Sequence, residues 1–214
     1  MRRFGALGLA AALVAGLGIV ASAQMGGARP ASAPGTAQTE LGGEWVKGER
    51  GMSYQGGKWI EVVYNRPVLR QRENIFGSGA EYGQALNAGA PLWRAGANQS
   101  TRFKTEVALN VGGKTLPAGE YSVFVELKPA EWTLIFSSWD AQQKFDKADT
   151  TALWGAYGYT PDKDVLRATM TVTEIPYSVD EFTISFINVT KSGGELAMVW
   201  DRTLATVPFT LAGS

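Results

Sequence analysis

The residues best suited to bind a solute lie in one stretch, residues 91–101, which brings a ring, a cation and an amide close together. Trp93 offers a large amphipathic ring, Arg94 a planar guanidinium and Asn98 an amide. Such groups stack on a polar ligand and donate charge-assisted hydrogen bonds to it. Since functional side chains are commonly held on loops by a rigid scaffold, the stretch predicts a ligand-binding loop. The alternative is a structural loop, in which Trp93 closes one end of the core and Asn98 caps a turn.

A second cluster of rings lies further along the chain, in residues 153–159. Trp154, Tyr157 and Tyr159 are separated by glycines there. Each of these rings has an apolar face and a polar tip, which is typical of surfaces that stack on sugars. The alternative is that they cover an exposed end of the core. We hypothesise that both clusters converge at one edge of the fold and that the ligand-binding residues are Trp93, Arg94, Asn98, Trp154, Tyr157 and Tyr159.

Two residue types are missing from the sequence, and their absence limits the chemistry. The chain has no histidine and no cysteine. This excludes a Ser-His-Asp triad, a thiolate nucleophile, and metal sites built on imidazole or thiolate. Any catalysis would depend on carboxylates, Lys, Tyr or Ser. The catalytic residues therefore stay unassigned, and we expect neither a metal nor a cofactor.

A hydrolase acting on a glycan would need two carboxylates that face one sugar. Glu120 and Glu126 share one face of a predicted strand, but their Cα atoms would lie roughly 20 Å apart. Glu126 could instead meet Glu131 across a hairpin, and the alternative is an ordinary solvated face. Aspartates gather around the long loop after residue 137, without the spacing of a calcium-binding loop: Asp140, Asp146, Asp149, Asp162 and Asp164.

The charge balance bears on the partners. Lys+Arg and Asp+Glu both number 20, so the net charge is zero. This gives no indication of a nucleic-acid partner. A polar small molecule or a glycan is the expected ligand, and a protein partner is the alternative.

The beginning of the chain reads as a bacterial export signal. Arg2 and Arg3 precede an apolar run over residues 7–20, and Ala21-Ser22-Ala23 supplies a cleavage site before Gln24. We therefore predict a signal peptide over residues 1–23 and a periplasmic or secreted protein with no membrane span after cleavage. An uncleaved anchor is the alternative. Residues 24–40 are rich in Ala, Gly, Pro and Ser, which predicts a flexible linker.

From residue 41 to residue 214 the apolar residues alternate, which predicts an all-β domain. Ile60, Val62 and Tyr64 lie on one face of the first clear strand, for example. Turn signals such as Gly112-Gly113 separate the runs. We predict a single antiparallel β-sandwich, jelly-roll-like, with eight to nine strands and one long aromatic-rich loop over residues 138–164.

Several blocks of residues, in order, resemble the bacterial exported family called domain of unknown function 2911. The blocks are Tyr64-Asn65-Arg66-Pro67, Ile75-Phe76-Gly77, Leu92 to Asn98, Gly112 to Ser122, Glu131 to Phe136, and Trp154-Gly155-Ala156-Tyr157. The similarity covers about residues 58–210. Between Phe76 and Leu92 the chain departs from the family pattern. The resemblance implies a secreted β domain, and it assigns neither an activity nor catalytic residues.

These observations favour a non-catalytic binding module of the bacterial envelope, with carbohydrate as the first ligand to test. Trp93, Trp154, Tyr157 and Tyr159 would stack on the ligand, while Arg94 and Asn98 would form hydrogen bonds to it. The alternatives are a carboxylate-dependent hydrolase acting on a glycan and a structural or protein-interaction domain of the envelope.

Overall fold

A computed structural model describes residues 31–213, and β-strands dominate it. Its regular elements are β1 (Ala33–Leu41), β2 (Glu44–Gly48), β3 (Gly51–Gln55), β4 (Lys58–Arg66), a 3-10 helix (Gly79–Glu81), α1 (Gln84–Asn87), β5 (Thr101–Thr105), β6 (Leu109–Val111), β7 (Lys114–Leu116), β8 (Gly119–Lys128), β9 (Glu131–Ser137), β10 (Asp140–Ala141), β11 (Ala152–Leu153), a second 3-10 helix (Pro161–Lys163), β12 (Asp164–Ile187) and β13 (Gly193–Leu211).

Nine of these strands form one antiparallel sheet in the order β1-β4-β5-β8-β9-β12-β13-β6-β7. The sheet is open, with β1 and β7 at its edges. A separate hairpin pairs β2 with β3, and a short parallel pair joins β10 to β11 inside the long loop. The prediction of an all-β, antiparallel fold of the sandwich type is confirmed.

The two longest strands fold the sheet over on itself. The first part of β12 pairs with β9, and β12 pairs with β13 both before and after the register shifts around Val179. Beyond these shifts, the Tyr64 hydroxyl of β4 donates to the Ile184 carbonyl and accepts from the Ile184 N–H. The two layers of the sandwich therefore face each other, and the long strands continue from one layer into the other. Sequence patterning predicts two strands within each of β12 and β13, because a bulge interrupts alternation without ending pairing.

The space between the layers is filled by a cluster of aromatic rings. Trp93 is 1% exposed, and its ring centroid lies 4.9 Å from that of Phe182 and 6.0 Å from that of Trp132. Phe76 and Trp200 complete the contacts around it. Edge-to-face pairs of this kind add to the free energy gained by burying apolar area.

A second, smaller core lies on the opposite face of β8 and β9. Phe124 and Ile135 are completely buried there, beneath residues of the two long loops. The covering side chains include Leu92, Leu153 and Tyr159. Both faces of these central strands are therefore buried, whereas alternation in the sequence predicts one buried face only.

The predicted linker over residues 24–40 is partly a strand. Its last residues belong to β1, which pairs with β4 along its whole length, from Ala33 opposite Arg66 to Leu41 opposite Lys58. The small residues of this segment carry weak strand propensity, and backbone pairing to the sheet edge overrides it. Pro34 is tolerated because β1 is an edge strand.

The predicted signal peptide, residues 1–23, lies outside the described residues. Within residues 31–213, neither the length nor the apolar character of any helix suffices for it to cross a bilayer.

Replacing Trp93 by Ala should destabilise the protein by about 3–5 kcal/mol, because a large buried ring is lost and a cavity remains. Chemical denaturation measures the change in the free energy of unfolding. Trp45→Ala is the matched control, since the Trp45 side chain is 66% exposed and should cost about 1 kcal/mol or less. Equal losses for the two variants would contradict the central position of Trp93.

Candidate functional site

The loop containing Trp93 and Arg94 is attached to strand β8 of the sheet at both of its ends. The Trp93 N–H donates to the Val125 carbonyl over 3.1 Å, and the Val125 N–H donates back to the Trp93 carbonyl over 2.8 Å. Thr101 at the start of β5 pairs with Val123 of β8, the strand that also contains Val125. Trp93 therefore continues the sheet beside β8, and residues 94–100 loop out between these two attachments.

Within this loop, the neighbouring side chains of Trp93 and Arg94 pack on opposite faces of the sheet. The Trp93 ring lies in the main core, and its Nε1–H donates to the Gly96 carbonyl. Arg94 instead contacts the long loop on the outer side of β8 and β9, through Gly155 and Tyr157. The structure thus separates two residues that the sequence analysis places on one ligand-facing surface. Because Trp93 is enclosed by other rings, its face is covered by the protein itself.

Arg94 is buried and is held entirely by contacts within the chain. Its Nη1 donates to the Asn98 carbonyl over 2.9 Å, and its Cζ lies 5.1 Å from the centroid of the Tyr157 ring. Asn98 has a positive φ of 60° and contributes its backbone oxygen here. The structure therefore brings Arg94, Asn98 and Tyr157 together, as a buried cation with a carbonyl and a ring around it.

The two predicted clusters are also joined beside this contact. The Ser100 hydroxyl donates to the carbonyls of Leu153 and Gly155. Gly155 has a φ of +64°, and a Cβ atom added to it would lie 2.5 Å from Arg94 Nη1. A side chain at this position would require the Arg94 guanidinium to move, so this glycine favours the close approach of the two loops.

Next to this junction, the long loop borders an open cavity of about 330 Å³. Four aromatic residues line it, namely Trp139, Phe145, Trp154 and Tyr157. Phe145 is 59% exposed and Tyr157 is 44% exposed, so their rings are accessible to a solute. The polar part of the lining includes Gln142, Asp146, Lys147, Asp149 and Thr150. We define this space as the aromatic cavity.

The rings of the aromatic cavity are fixed by specific contacts. Trp154 packs edge-on against Phe145, with ring centroids 6.0 Å apart. The Trp139 Nε1–H donates to the Thr160 carbonyl, and Lys163 Nζ lies 3.6 Å from the centroid of the Trp139 ring. The Tyr157 hydroxyl donates to the Ala88 carbonyl. Rings held in this way lose little conformational entropy when a ligand stacks on them.

Gln142 maintains the shape of the loop around the aromatic cavity. Its side-chain amide donates to the carbonyls of Asp146, Asp149 and Ala152, and its oxygen accepts from the Asp146 N–H. Sequence reasoning missed Gln142 as a site residue, because an isolated glutamine carries no distinctive spacing. It also left Trp139 and Phe145 unassigned, although the aromatic content of the loop indicated them.

Tyr159 lies apart from the aromatic cavity, in the smaller core. Its ring packs against Phe124 at 5.0 Å, and its hydroxyl donates to Asp164 over 2.8 Å. Burial and the neighbouring Asp164 carboxylate raise the pKa of the Tyr159 hydroxyl. Arg167 links Asp164 to Glu126 through ion pairs of 2.8 and 2.6 Å. Tyr159 is therefore buried in the smaller core and does not line the aromatic cavity.

Two of the carboxylates that could do chemistry, Asp149 and Glu126, are engaged as structural acceptors. Asp149 accepts from the Thr151 side chain and backbone, and these hydrogen bonds lower its pKa. Glu126 stands opposite Thr133 rather than Glu131, and its hydrogen bond from Lys128 lowers its pKa. Among the described residues, every carboxyl with a shifted pKa has it lowered, whereas a general acid requires a raised pKa. No carboxylate cluster in this part of the chain is arranged to hold a metal ion.

The fold and the loops together define an antiparallel β-sandwich protein with an aromatic cavity beside its central strands. A family model described as protein of unknown function (DUF2911) matches residues 49–209. The chain therefore belongs to this family, and the resemblance noted in the sequence is confirmed. No curated protein and no solved structure matches the chain.

Gly155→Ala should destabilise the protein by about 1–3 kcal/mol through its positive φ alone, and further through the collision with Arg94. Gly113→Ala separates the two effects, since Gly113 has a φ of +84° and open space around the added Cβ. Thermal unfolding of both variants measures the difference. Equal destabilisation would contradict the steric role assigned to Gly155.

Glu126→Gln should lower the stability at pH 7 by about 1 kcal/mol, after allowing for solvent screening. The pKa of Glu126 lies below its ordinary value of 4.5 in the folded protein, so its contribution is present above that value and is lost as the pH falls through the folded pKa. The difference from the wild type should therefore vanish in acid. Denaturation midpoints between pH 7 and pH 3 test this, with Glu131→Gln as the control. A difference that persists in acid would show that the ion pairs are not its source.

Proposed function

We propose that this protein is a non-catalytic binding module for a polar, uncharged ligand, with the sugars of envelope glycans as the ligand class. One observation carries the proposal, namely the four aromatic side chains around the aromatic cavity. Sugar rings present C–H groups on their faces and hydroxyl groups at their edges. They therefore suit a site with apolar faces and polar groups between them.

The dimensions and the lining of the aromatic cavity support this assignment. Its volume of about 330 Å³ lies at the lower end of the range for ligand sites. The stacking surface is supplied by Phe145, Trp154 and Tyr157, and hydrogen-bonding groups by Lys147 and Thr150. An exported protein, as the beginning of the sequence predicts, would meet glycans in the periplasm or outside the cell.

Arg94 and Asn98 act indirectly in this proposal. They hold the Tyr157 ring and the 155–158 turn in place, because the buried Arg94 guanidinium packs against both. They are therefore positioning residues, and the aromatic residues of the long loop make the contacts to the ligand.

The hydrolase alternative has weaker support. Asp146 and Asp149 line the aromatic cavity, but each accepts hydrogen bonds from the loop backbone. In Asp149 these bonds lower the pKa of the carboxyl, which disfavours the protonated acid that glycoside hydrolysis requires.

A protein-interaction role is the second candidate, and the β2–β3 hairpin favours it. Trp45 and Met52 on this hairpin are 66% and 58% exposed. Large apolar side chains that project together into solvent are typical of interaction surfaces.

Isothermal titration calorimetry of residues 24–214 against soluble oligosaccharides of N-acetylglucosamine, glucose and mannose tests the proposal. We expect saturable binding to at least one of these sugars, weakened about tenfold by Trp154→Ala because a stacking contact of about 1.4 kcal/mol is lost. Trp45→Ala is the matched control and should bind as the wild type does. The absence of binding to every sugar, or an equal loss in the control, would contradict the proposal.

A further inference from the structure

A second cleft, of about 530 Å³, lies where β12 and β13 bend. It is bordered by the connection after β4 and by the two bends, and we call it the charged cleft. Apart from Leu69, the residues that line it are of polar or charged types: Gln71, Arg72, Glu73, Asn74, Ser178, Asp180, Asp201 and Arg202.

Charges of both signs face the charged cleft without pairing to one another. Arg72 and Arg202 supply two guanidinium groups, and Glu73, Asp180 and Asp201 supply three carboxylates. None of these groups forms an ion pair within the described part of the chain, although seven ion pairs occur elsewhere in it. The charged groups are therefore held close to one cleft and still have capacity for a charged solute.

Arg72 is positioned in advance for such a contact. Its Nε donates to the Leu69 carbonyl over 2.9 Å, and its Nη2 donates to the Val68 carbonyl over 2.7 Å. Its Cζ lies 5.8 Å from the centroid of the Trp200 ring, which belongs to the core. These contacts fix the guanidinium plane, while Nη1 has no partner among residues 31–213. A planar donor with a fixed orientation matches a carboxylate well.

In two carboxylates across the cleft, one oxygen accepts a hydrogen bond from the described residues and the other does not. Oδ1 of Asp180 accepts from the Arg70 N–H over 3.3 Å, and Oδ1 of Asp201 accepts from the Ser178 hydroxyl over 2.8 Å. In both residues Oδ2 has no partner in the part of the chain that the structure describes. Each side chain is thus oriented by one oxygen and offers the other, which is the arrangement that suits an ammonium group.

The backbone around the charged cleft is held in unfavourable conformations. Gln71, Asn74 and Asp201 have φ values of 65°, 50° and 50°, in the left-handed region. The register of β12 also shifts on both sides of Val179. Such conformations are costly, and they often occur where a binding site needs a particular shape.

We propose that the charged cleft binds a small zwitterion, whose carboxylate contacts Arg72 and whose ammonium group contacts Asp180 and Asp201. A simple anion would face three carboxylates, and a simple cation would face two guanidinium groups, so a molecule with both charges fits best. Free α-amino acids and the termini of short peptides share this chemistry. The site lies on residues other than those of the aromatic cavity, so it does not depend on glycan binding.

Titration of ¹⁵N-labelled protein with four probes tests the proposal. The probes are alanine, alanylalanine, N-acetylalanine, which lacks the ammonium group, and alaninamide, which lacks the carboxylate. We expect saturable shifts near residues 69–74, 178–180 and 201–202 with at least one of the two zwitterions. Both capped compounds should bind at least tenfold more weakly. Preference for alanine would identify free amino acids as the source, and preference for alanylalanine would identify peptides.

Variants of the charged cleft provide the second part of the test. Arg72→Gln and Asp180→Asn should each weaken the binding of the preferred zwitterion at least tenfold. Asn keeps the oxygen that accepts from the Arg70 N–H, so Asp180→Asn should retain the fold even if Arg72→Gln does not. Arg50→Gln, in the exposed turn between β2 and β3, is the matched control. No saturable shifts with either zwitterion, equal binding of the capped compounds, or unchanged binding in Asp180→Asn would overturn the proposal.

Discussion

The packing of Trp93 between the two layers is the interaction on which the rest of the structure depends. Its backbone pairs with Val125, while its ring contacts rings from both layers. Because side chains alternate along an extended chain, fixing Trp93 in the main core directs Arg94 to the opposite face of the sheet. Trp93 thus stabilises the sandwich, and its position directs the Arg94 side chain toward the long loop.

The buried Arg94 is the second constraint, and it explains why the two loops pack closely. Burying a guanidinium is costly unless its donors are satisfied. Arg94 has no ion pair among the described residues, so the Asn98 carbonyl and the Tyr157 ring offset that cost. In this arrangement a side chain at position 155 would collide with the Arg94 guanidinium. The approach of the loops is therefore specific, and it positions one wall of the aromatic cavity.

The strands were predictable where local patterning and tertiary structure agree. Ile60, Val62 and Tyr64 are buried on one face of β4, as their alternation indicates. The second buried face of β8 and β9 was not predictable, because it is created by loops distant in sequence. Strand β1 was also missed, since pairing to a sheet edge rather than apolar periodicity stabilises it.

The candidate sites are harder to predict from the sequence than the strands are. Residue type alone does not determine whether a ring binds a ligand or fills the core. Trp93 and Trp154 both follow loop signals in the sequence, yet Trp93 lies in the main core and Trp154 lines a cavity. The charged cleft is even less predictable from local sequence. Arg72 and Asp180 belong to segments far apart in the chain, and backbone pairing of Leu69 with Asp180 brings them to one cleft. A binding site that is assembled from distant segments can be recognised only after the fold is known, even though the sequence shows each of its residues.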